Sequence, residues 1–279
     1  MEQKPPLIVR LIPRRFVSRM TGWFARRRLP GFLLRPFLRW YARRYDADLT
    51  QAARPLAEYR SFVDFFTRTL KADARPLPED PKAIACPCDG TVSMAGTVEH
   101  GTLLQVKGHT YSLAELLGLQ PAADLLEGGT YVVLYLAPGD YHRFYWPFDG
   151  RVETAVHMPG DLWPVNERSV GGVERLFARN ERVVCFGTVA GEAAFAYVPV
   201  GALNVGSIRL AFAPVRTNRW SRRPPASELP DVAGKRGDEF GWFELGSTIV
   251  LVLAPDAGTL DTLVAGTRVR MGQPIGRLS

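Results

Sequence analysis

The chain of 279 residues lacks the sequence features that mark several common classes of enzyme and membrane protein. Its cysteines, Cys86, Cys88 and Cys185, are odd in number and are not spaced like zinc ligand pairs, so we expect reduced thiols. No apolar run approaches the roughly 20 residues needed to span a bilayer. A glycine-rich phosphate loop, a dinucleotide fingerprint and an HExxH sequence are absent too, and we predict neither a nucleotide cofactor nor a metal.

The positive charge of the chain is concentrated at its beginning. Residues 1–45 contain twelve Lys and Arg side chains and one acid, a net charge of +11. Because the whole chain carries +7, the remaining residues carry a net −4. A basic segment of this kind can bind either nucleic acid or an anionic lipid surface.

The apolar residues of this segment favour the lipid surface. Large apolar side chains recur at helical spacing after Pro13, and a second run places Phe37, Trp40 and Tyr41 opposite regularly spaced arginines. Such a pattern is typical of helices that lie in a membrane interface. Ordinary helices packed on the body and a nucleic-acid-binding arm are the alternatives. We expect no nucleic-acid partner and a peripheral location on the cytoplasmic face of the cell membrane.

From residue 75 onward the pattern changes to short β-like runs separated by glycine or proline. Strands are predicted over 131–136, 182–186, 193–200, 208–212 and 248–253, and a hairpin over 264–276. Short helices are predicted over 59–70 and 112–119. We therefore predict an α+β fold, with an α-helical, membrane-associating region (1–72) and a β-rich, mostly antiparallel, barrel- or sandwich-like catalytic domain (73–279).

Three residues could carry chemistry, although each also has an ordinary structural explanation. His142 directly follows a predicted strand, whereas Asp89 stands in an Asp-Gly turn sequence and Ser247 stands where a strand begins. The glycine before Ser247 leaves its own carbonyl open to attack by the serine hydroxyl. An acyl shift from nitrogen to oxygen, elimination and hydrolysis would then leave a pyruvoyl group, provided that a base and an acidic partner are present.

The sequence resembles the bacterial, pyruvoyl-dependent phosphatidylserine decarboxylase family from about Phe62 to the C-terminus. The similarity includes the Leu-Gly-Ser-Thr self-cleavage motif at 245–248. The other similar stretches, which occur in the family's order, are 65–71, 89–90, 105–113, 140–143, 159–162 with 165–166, 176–182, 205–207 and 270–274.

This resemblance implies autocatalytic serinolysis between Gly246 and Ser247. The products would be a large β chain (1–246) and a small α chain (247–279), which would form a heterodimer and could assemble into a homo-oligomer of that pair. Ser247 would become the covalent pyruvoyl group that forms a Schiff base with the substrate, without a metal. The implied reaction converts phosphatidylserine in an anionic membrane to phosphatidylethanolamine and CO2, a step of phospholipid biosynthesis.

The resemblance also assigns roles to individual residues. Asp89 matches an aspartate that assists self-cleavage, and His142 matches the first histidine of a Tyr-His-Arg-x-His motif. The second histidine is absent, because Tyr145 occupies its position. We expect His142 to act as the base and Asp140 to orient its imidazole, with Tyr145 or His157 as alternative substitutes for the missing group.

Two other functions fit parts of the sequence. One keeps the pyruvoyl chemistry but acts on another serine-headed lipid. The other is a noncatalytic hybrid-barrel binding module, suggested by the predicted hairpin over 264–276. That module would normally present a lysine for modification, and the chain has no lysine after Lys235.

Overall fold

The computed structural model provides the coordinates of the chain. It describes residues 13–104, 110–118, 120–165, 172–189, 192–203, 207–218, 227–228 and 231–279. Parts of three family-like stretches, at 105–109, 166 and 205–206, lie outside these residues.

Two longer helices begin the described chain and are followed by shorter ones. They are α1 (Arg14–Ala25), α2 (Gly31–Arg44), a 3-10 turn (Leu56–Glu58), α3 (Phe62–Phe66), α4 (Leu113–Leu117), α5 (Gln120–Asp124) and α6 (Leu176–Arg179). The helix predicted over 59–70 is confined to α3, because Ser61 caps its start by accepting a hydrogen bond from the Asp64 amide (3.1 Å) and Thr67 ends it. The helix predicted over 112–119 is confirmed, with Ser112 capping α4.

The strands account for most of the body. They are β1 (Ala83–Ala85), β2 (Gly90–Thr97), β3 (Thr102–Leu104), β4 (Thr110–Ser112), β5 (Thr130–Leu136), β6 (Arg143–Tyr145), β7 (Gly150–Met158), β8 (Arg182–Val189), β9 (Ala193–Gly201), β10 (Ile208–Leu210), β11 (Ser227–Glu228), β12 (Val232–Gly234), β13 (Glu239–Phe243), β14 (Ser247–Leu253), β15 (Gly258–Leu260), β16 (Arg268–Val269) and β17 (Pro274–Leu278). The continuous apolar runs therefore form strands where the sequence predicts them.

Nine of these strands form one antiparallel sheet. Its order is β11-β7-β8-β9-β14-β5-β2-β16, with β12 also paired to β7. The predicted α+β, mostly antiparallel fold is confirmed. The barrel-like alternative is wrong for the described strands, because β11 and β16 end the sheet without pairing with each other. Every residue of the central strands β9 and β14 is buried, as expected of apolar runs covered on both faces.

The hairpin predicted over 264–276 does not form. β16 pairs with β2, whereas β17 pairs with β1 and β15 in a separate three-stranded sheet. The glycines that suggested a hairpin turn instead let the chain pass from one sheet to the other, and Gly272 adopts a positive φ of 85° there. The partners of both strands come from distant sequence, which local turn residues do not encode. The binding-module hypothesis loses the feature that suggested it.

A helical layer, formed by α1, α2 and α3, carries its own apolar cluster. The cluster includes Leu34, Leu38, Tyr41 and Phe66, and it also contains Leu245 from the segment that leads into β14. The helical layer thus packs against the chain just before Ser247.

The outer side of the helical layer is unusually apolar. α1 buries only the small residues Ser18, Gly22 and Ala25. Eight large apolar side chains of α1, α2 and their connection are 41–75% exposed; they form the apolar face, which consists of Phe16, Trp23, Phe24, Leu29, Phe32, Leu33, Phe37 and Trp40. No described helix has the length and hydrophobicity needed to cross a bilayer.

Candidate active site

The sheet brings three sequence-predicted segments to one of its ends. Ser247, the first residue of β14, lies opposite Leu136 at the end of β5. On the other side of β5, the start of β2 pairs with the same end, with Thr91 opposite Tyr135. The strands are antiparallel, so Ser247, the Asp-Gly sequence before β2 and the loop after β5 lie at the same end of the sheet.

Close backbone contact explains the glycine in the Asp-Gly sequence. A Cβ atom at Gly90 would lie 2.6 Å from the carbonyl oxygen of Tyr135, closer than any side chain tolerates. Glycine therefore allows the beginning of β2 to approach β5 at this point. The Asp-Gly pair is therefore more than a turn signal, because the close approach of β2 to β5 next to Asp89 requires glycine at position 90.

Ser247 is buried without a hydrogen-bond partner. Its side chain is 1% exposed, and its Oγ atom bonds to no group in the described part of the chain. Leaving a buried hydroxyl unpaired costs about 1–3 kcal/mol. An orphaned hydroxyl therefore calls for an explanation other than stability, and its position next to Gly246 supplies a chemical one.

The backbone just before this serine is strained. Leu245 has a φ of +92°, a conformation that a bulky side chain rarely adopts. Such a residue costs on the order of 1–3 kcal/mol and persists only where its surroundings enforce it. The buried Leu245 side chain is held in the apolar cluster of the helical layer, which provides that enforcement.

A set of ion pairs, the clamp on Glu244, holds the residue that precedes Leu245. The carboxylate of Glu244, which is mostly buried, forms ion pairs with Arg26 from the end of α1 and with Arg209 (3.3 Å) and Arg216 (3.9 Å) from the body. The Glu244 amide also donates to the carbonyl of Ser207 (2.9 Å). Residues 244 and 245 are thus fixed by both the helical layer and the sheet.

His142 is completely buried next to this segment. Its carbonyl accepts a hydrogen bond from the Phe243 amide (2.9 Å), and its ring lies 4.0 Å from the ring of Phe66, centroid to centroid. Nδ1 is 2.8 Å from the carbonyl oxygen of Asp140. A carbonyl can only accept, so Nδ1 carries the proton and Nε2 presents its lone pair. Nε2 has no partner among the described residues.

The surroundings of His142 keep the imidazole neutral. Burial lowers the pKa of His142 to about 3, although the hydrogen bond to Asp140 opposes this shift and the nearby positive charge of Arg68 adds to it. The uncleaved chain therefore holds a neutral imidazole with an unpaired Nε2 beside the segment that leads to an unpaired serine hydroxyl.

Asp140 contacts this imidazole through its backbone rather than through its carboxylate. The carboxylate is occupied by Arg268 (Nη2 at 2.6 Å, Nη1 at 3.2 Å) and by the Ala137 amide (2.7 Å). These bonds fix the loop between Ala137 and His142. The expected orienting role of Asp140 stays a prediction, and the geometry gives it a physical route through the carbonyl group.

Asp89 lies at the same end of the sheet but does not bond to His142. Its carboxylate is paired with Arg75 and accepts a hydrogen bond from the Met271 amide (2.9 Å). In the described chain, therefore, the carboxylate is not arranged as the third member of a serine-histidine-aspartate triad. The role of Asp89 in self-cleavage stays a prediction, and its carboxylate would fulfil that role while it is bound to Arg75 and to the Met271 amide.

Tyr145 and His157 differ in how well they could replace the missing histidine. The phenol of Tyr145 is hydrogen-bonded to that of Tyr141, and burial raises the pKa of Tyr145, so the phenol stays protonated at neutral pH. His157 is bonded to Glu181 (2.9 Å) on β7, three strands from β14. At a strand spacing of about 4.8 Å, that places it roughly 14 Å from Ser247. Neither arrangement presents a free base to Ser247.

No group of three or more His, Cys, Asp or Glu side chains in the described residues could hold a metal ion. The three cysteines are unpaired and buried. Burial raises the pKa of each thiol, which makes them poor ligands and poor nucleophiles.

Comparison with known proteins assigns the chain to a family. The sequence model for phosphatidylserine decarboxylase matches residues 62–277, which is most of the chain. The chain belongs to the phosphatidylserine decarboxylase family. The predicted family and the predicted enzyme class are thereby confirmed.

Similar members of the phosphatidylserine decarboxylase family span almost the whole chain. The phosphatidylserine decarboxylase proenzyme of Ectopseudomonas mendocina (strain ymp) is 42% identical over 275 residues, covering 95% of each chain. That of Pseudomonas entomophila (strain L48) is 43% identical over 272 residues, covering 94% of this chain and 93% of its own. The name proenzyme states that these relatives are made as precursors, which agrees with the self-cleavage predicted from the sequence.

Sequence reasoning missed several residues that shape this phosphatidylserine decarboxylase site. It did not predict the strained φ of Leu245, the clamp on Glu244 or the burial of Arg68, which is 3% exposed beside His142. Leu245 stands in the recognised Leu-Gly-Ser-Thr motif and Arg68 in another family-like stretch. The sequence therefore marked both residues as similar to the family, but it did not indicate the strain at Leu245 or the burial of Arg68.

Proposed function

We propose that this phosphatidylserine decarboxylase family member cleaves itself between Gly246 and Ser247. It then uses the pyruvoyl group derived from Ser247 to convert phosphatidylserine to phosphatidylethanolamine and CO2. The observation that carries the proposal is the buried, unpartnered Oγ of Ser247, which follows a strained Leu245 and a glycine. The unpaired Nε2 of His142 supports it, since the reaction needs a base for that hydroxyl.

Self-cleavage begins with the hydroxyl of Ser247. Its Oγ attacks the carbonyl carbon of Gly246 and gives its proton to Nε2 of His142, and the peptide nitrogen leaves with a proton to form an ester. Removal of the Cα proton of residue 247 then expels the Gly246 carboxylate and leaves a dehydroalanine. Addition of water and loss of ammonia convert this residue to a pyruvoyl group at the start of the α chain. The strain at Leu245 is relieved when the bond opens, which favours the forward reaction.

The residues present fit a pyruvoyl group at position 247. Because Oγ has no partner in the described chain, no hydrogen bond to it has to break when it leaves with the Gly246 carboxylate, and the Cα of residue 247 then takes its ketone oxygen from the added water. Once formed, the group supplies a carbonyl that accepts the substrate amine and the electron pair left by departing CO2. His142 Nε2, which has no partner among the described residues, is suited to hold the proton that replaces the carboxylate.

The two products of cleavage would stay together. β14 of the α chain is paired along its whole length with β5 and β9 of the β chain, and β16 and β17 pair with β2 and β1. These hydrogen bonds do not depend on the bond between residues 246 and 247. This pairing supports the predicted heterodimer, and further assembly into a homo-oligomer stays a prediction.

Attachment to a membrane fits the charge and apolarity of the helical layer. The apolar face would lie among the lipid chains, since water is an unfavourable contact for so many large side chains on one side. An open groove of about 970 Å³ adjoins it. Five arginines (Arg26, Arg28, Arg35, Arg54 and Arg60) and two acids (Glu58 and Asp64) line this groove. The excess of positive charge suits an anionic lipid surface, whereas the cytoplasmic location stays a prediction.

Intact mass measurement and CO2 release test the proposal together. The purified chain should separate into fragments 1–246 and 247–279 under denaturing conditions, with the smaller one blocked by pyruvate. It should also release CO2 from phosphatidylserine. The Ser247→Ala variant should remain uncleaved and inactive, whereas Tyr197→Phe, the control that removes another buried and unpartnered hydroxyl outside the motif, should be cleaved. An active preparation with an intact Ser247 would refute the proposal.

A further inference from the structure

Arg68 is a buried cation that forms no ion pair with a described carboxylate, although its guanidinium carbon lies 5.3 Å from the centre of the Phe65 ring. It follows α3 and is 3% exposed. Its Nη2 donates to the carbonyl of Gly139 (3.1 Å) and, at 3.5 Å, to that of Asp140, whereas Nε has no partner among the described residues. Because an arginine stays charged in proteins, this arrangement places a positive charge in the interior without a directly bonded carboxylate among the described residues.

A second buried arginine, Arg182, shows how this fold can satisfy the hydrogen-bond donors of a buried guanidinium. Arg182 is 4% exposed and likewise pairs with no described carboxylate. However, all three of its nitrogens donate to backbone carbonyls, which belong to Glu115, Leu116, Ala178 and Asn180. The fold therefore can satisfy a buried guanidinium from its own backbone. By contrast, the described surroundings of Arg68 leave its Nε–H without an acceptor, as expected of a side chain that binds a ligand.

The guanidinium of Arg68 lies beside the candidate active site. The same carbonyl oxygen, that of Asp140, contacts both Nη2 of Arg68 and Nδ1 of His142. Phe66, two residues before Arg68, packs on the imidazole. Arg68 is therefore held against the residue that the proposed reaction uses.

We propose that Arg68 binds the phosphodiester of the lipid head group while the serine amine reaches position 247. This inference rests on the proposed function, because it assumes a serine phospholipid as the substrate. The guanidinium is suited to phosphate oxygens, which it can bind through two parallel hydrogen bonds. Nε and one Nη are the pair of donors needed for such a contact, and Nε is the one left unused.

The substrate carboxylate is the other anion of the head group, but it fits Arg68 less well. An ion pair would stabilise that carboxylate before reaction and would be lost as CO2 departs, so it would raise the barrier. The phosphodiester keeps its charge throughout. Arg68 can bind it equally well in the bound substrate and in the transition state. The contact should therefore act on KM rather than on kcat.

The test combines a variant enzyme with a variant substrate. The processed wild type and Arg68→Gln would be compared for CO2 release from a short-chain phosphatidylserine and from an O-alkyl serine ether, which lacks the phosphate. Loss of a charge-assisted contact should raise KM for the phospholipid on the order of 10- to 100-fold, with kcat little changed. For the ether, the variant and the wild type should have similar kcat/KM. The reason is that the substitution at Arg68 and the absence of the phosphate each remove the same arginine–phosphate contact.

Arg182→Gln is the matched control, and we expect it to lower the melting temperature and to affect both substrates alike. If Arg68→Gln fails to fold or process, the same comparison is made with Arg68→Lys, which keeps the charge but loses the paired donors. An equal loss on both substrates, or an unchanged KM for the phospholipid, would overturn the assignment to phosphate. Failure of the proposed function would look different, because the wild type itself would then release no CO2.

Discussion

The buried imidazole of His142 provides the clearest link between a single residue and the proposed chemistry. Its Nδ1 is bonded to the Asp140 carbonyl and its Nε2 has no partner among the described residues, so Nε2 can take a proton without breaking any bond that the structure describes. Its pKa of about 3 makes it a weak base in the resting chain. The developing positive charge would therefore have to be stabilised during the reaction.

Single substitutions can separate the candidate bases. We expect His142→Ala to slow self-cleavage at least about 100-fold, because general-base catalysis contributes at least that factor. Tyr145→Phe should be cleaved at nearly the normal rate, since its phenol is protonated at neutral pH. The rates are measured by following the two fragments on denaturing gels after synthesis.

His157→Ala serves as the control for the loss of any histidine at this end of the sheet, and it should be cleaved normally. His142→Gln tests the same role with less change in volume, and its melting temperature reports whether the fold is intact. Normal cleavage of a folded His142 variant would show that another group removes the proton.

Motif similarity singled out the residues that are proposed to react, but it did not predict their environment. Ser247, His142 and Asp89 could be found because their neighbours in sequence are distinctive. The missing partner of Arg68 and the strain at Leu245 could not, because both result from packing between segments far apart in the chain. A pattern of residue types does not contain the distances that leave a donor unpaired.

At the scale of elements, β14 is the strand on which the site is built. Its continuous apolar sequence predicted a buried strand, and that strand extends one residue further, to Ser247 itself. By contrast, the segment over 264–276 was predicted as a hairpin because its glycines suggested a local turn. Its two strands pair instead with residues near positions 90 and 84. Local patterns predict strand formation well, but the choice of partner depends on which strand edges the rest of the chain leaves open.

Arg26, the residue that follows helix α1, contacts the segment before Ser247 through its ion pair with Glu244. We expect Arg26→Gln to slow self-cleavage roughly five-fold, which corresponds to about 1 kcal/mol for a partly buried pair. The reason is that Glu244 helps to hold Leu245 in its strained conformation. The rate of fragment formation measures the effect, and Arg26→Lys should restore part of it.

Arg27→Gln is the matched control for this clamp. Arg27 lies next in sequence, but its guanidinium stacks on the exposed ring of Trp23 rather than on Glu244. It should therefore cleave at the normal rate. If both variants slow cleavage equally, the effect comes from the charge of the helix and not from the ion pair.

At the scale of the whole molecule, the apolar face and many of the exposed arginines belong to the same helical layer that packs against the segment before Ser247. The helical layer carries the apolar face outward and packs inward against Leu245, next to the scissile bond. A lipid held at the apolar face would have its head group at the level of the arginine-lined groove. This placement would allow the head group to reach the site while the acyl chains stay in the membrane.

Sedimentation with lipid vesicles tests this arrangement without any turnover. The Ser247→Ala chain should bind vesicles that contain phosphatidylglycerol more tightly than vesicles of phosphatidylcholine alone, and added salt should weaken that preference. Replacing Phe32 and Trp40 with serine should reduce binding to both kinds of vesicle, since these side chains are 75% and 56% exposed on the apolar face.

The charge and the apolar surface should act separately. Replacing Arg35, Arg39 and Arg43 with glutamine should weaken binding to anionic vesicles on the order of 100-fold, because each cation near such a surface contributes about 1 kcal/mol. Binding to phosphatidylcholine should change little. Serine at Leu125 and Val264, two exposed apolar residues of the body, is the control for loss of hydrophobicity and should leave both affinities unchanged. Equal weakening by the body and helix variants would contradict a membrane contact through the apolar face.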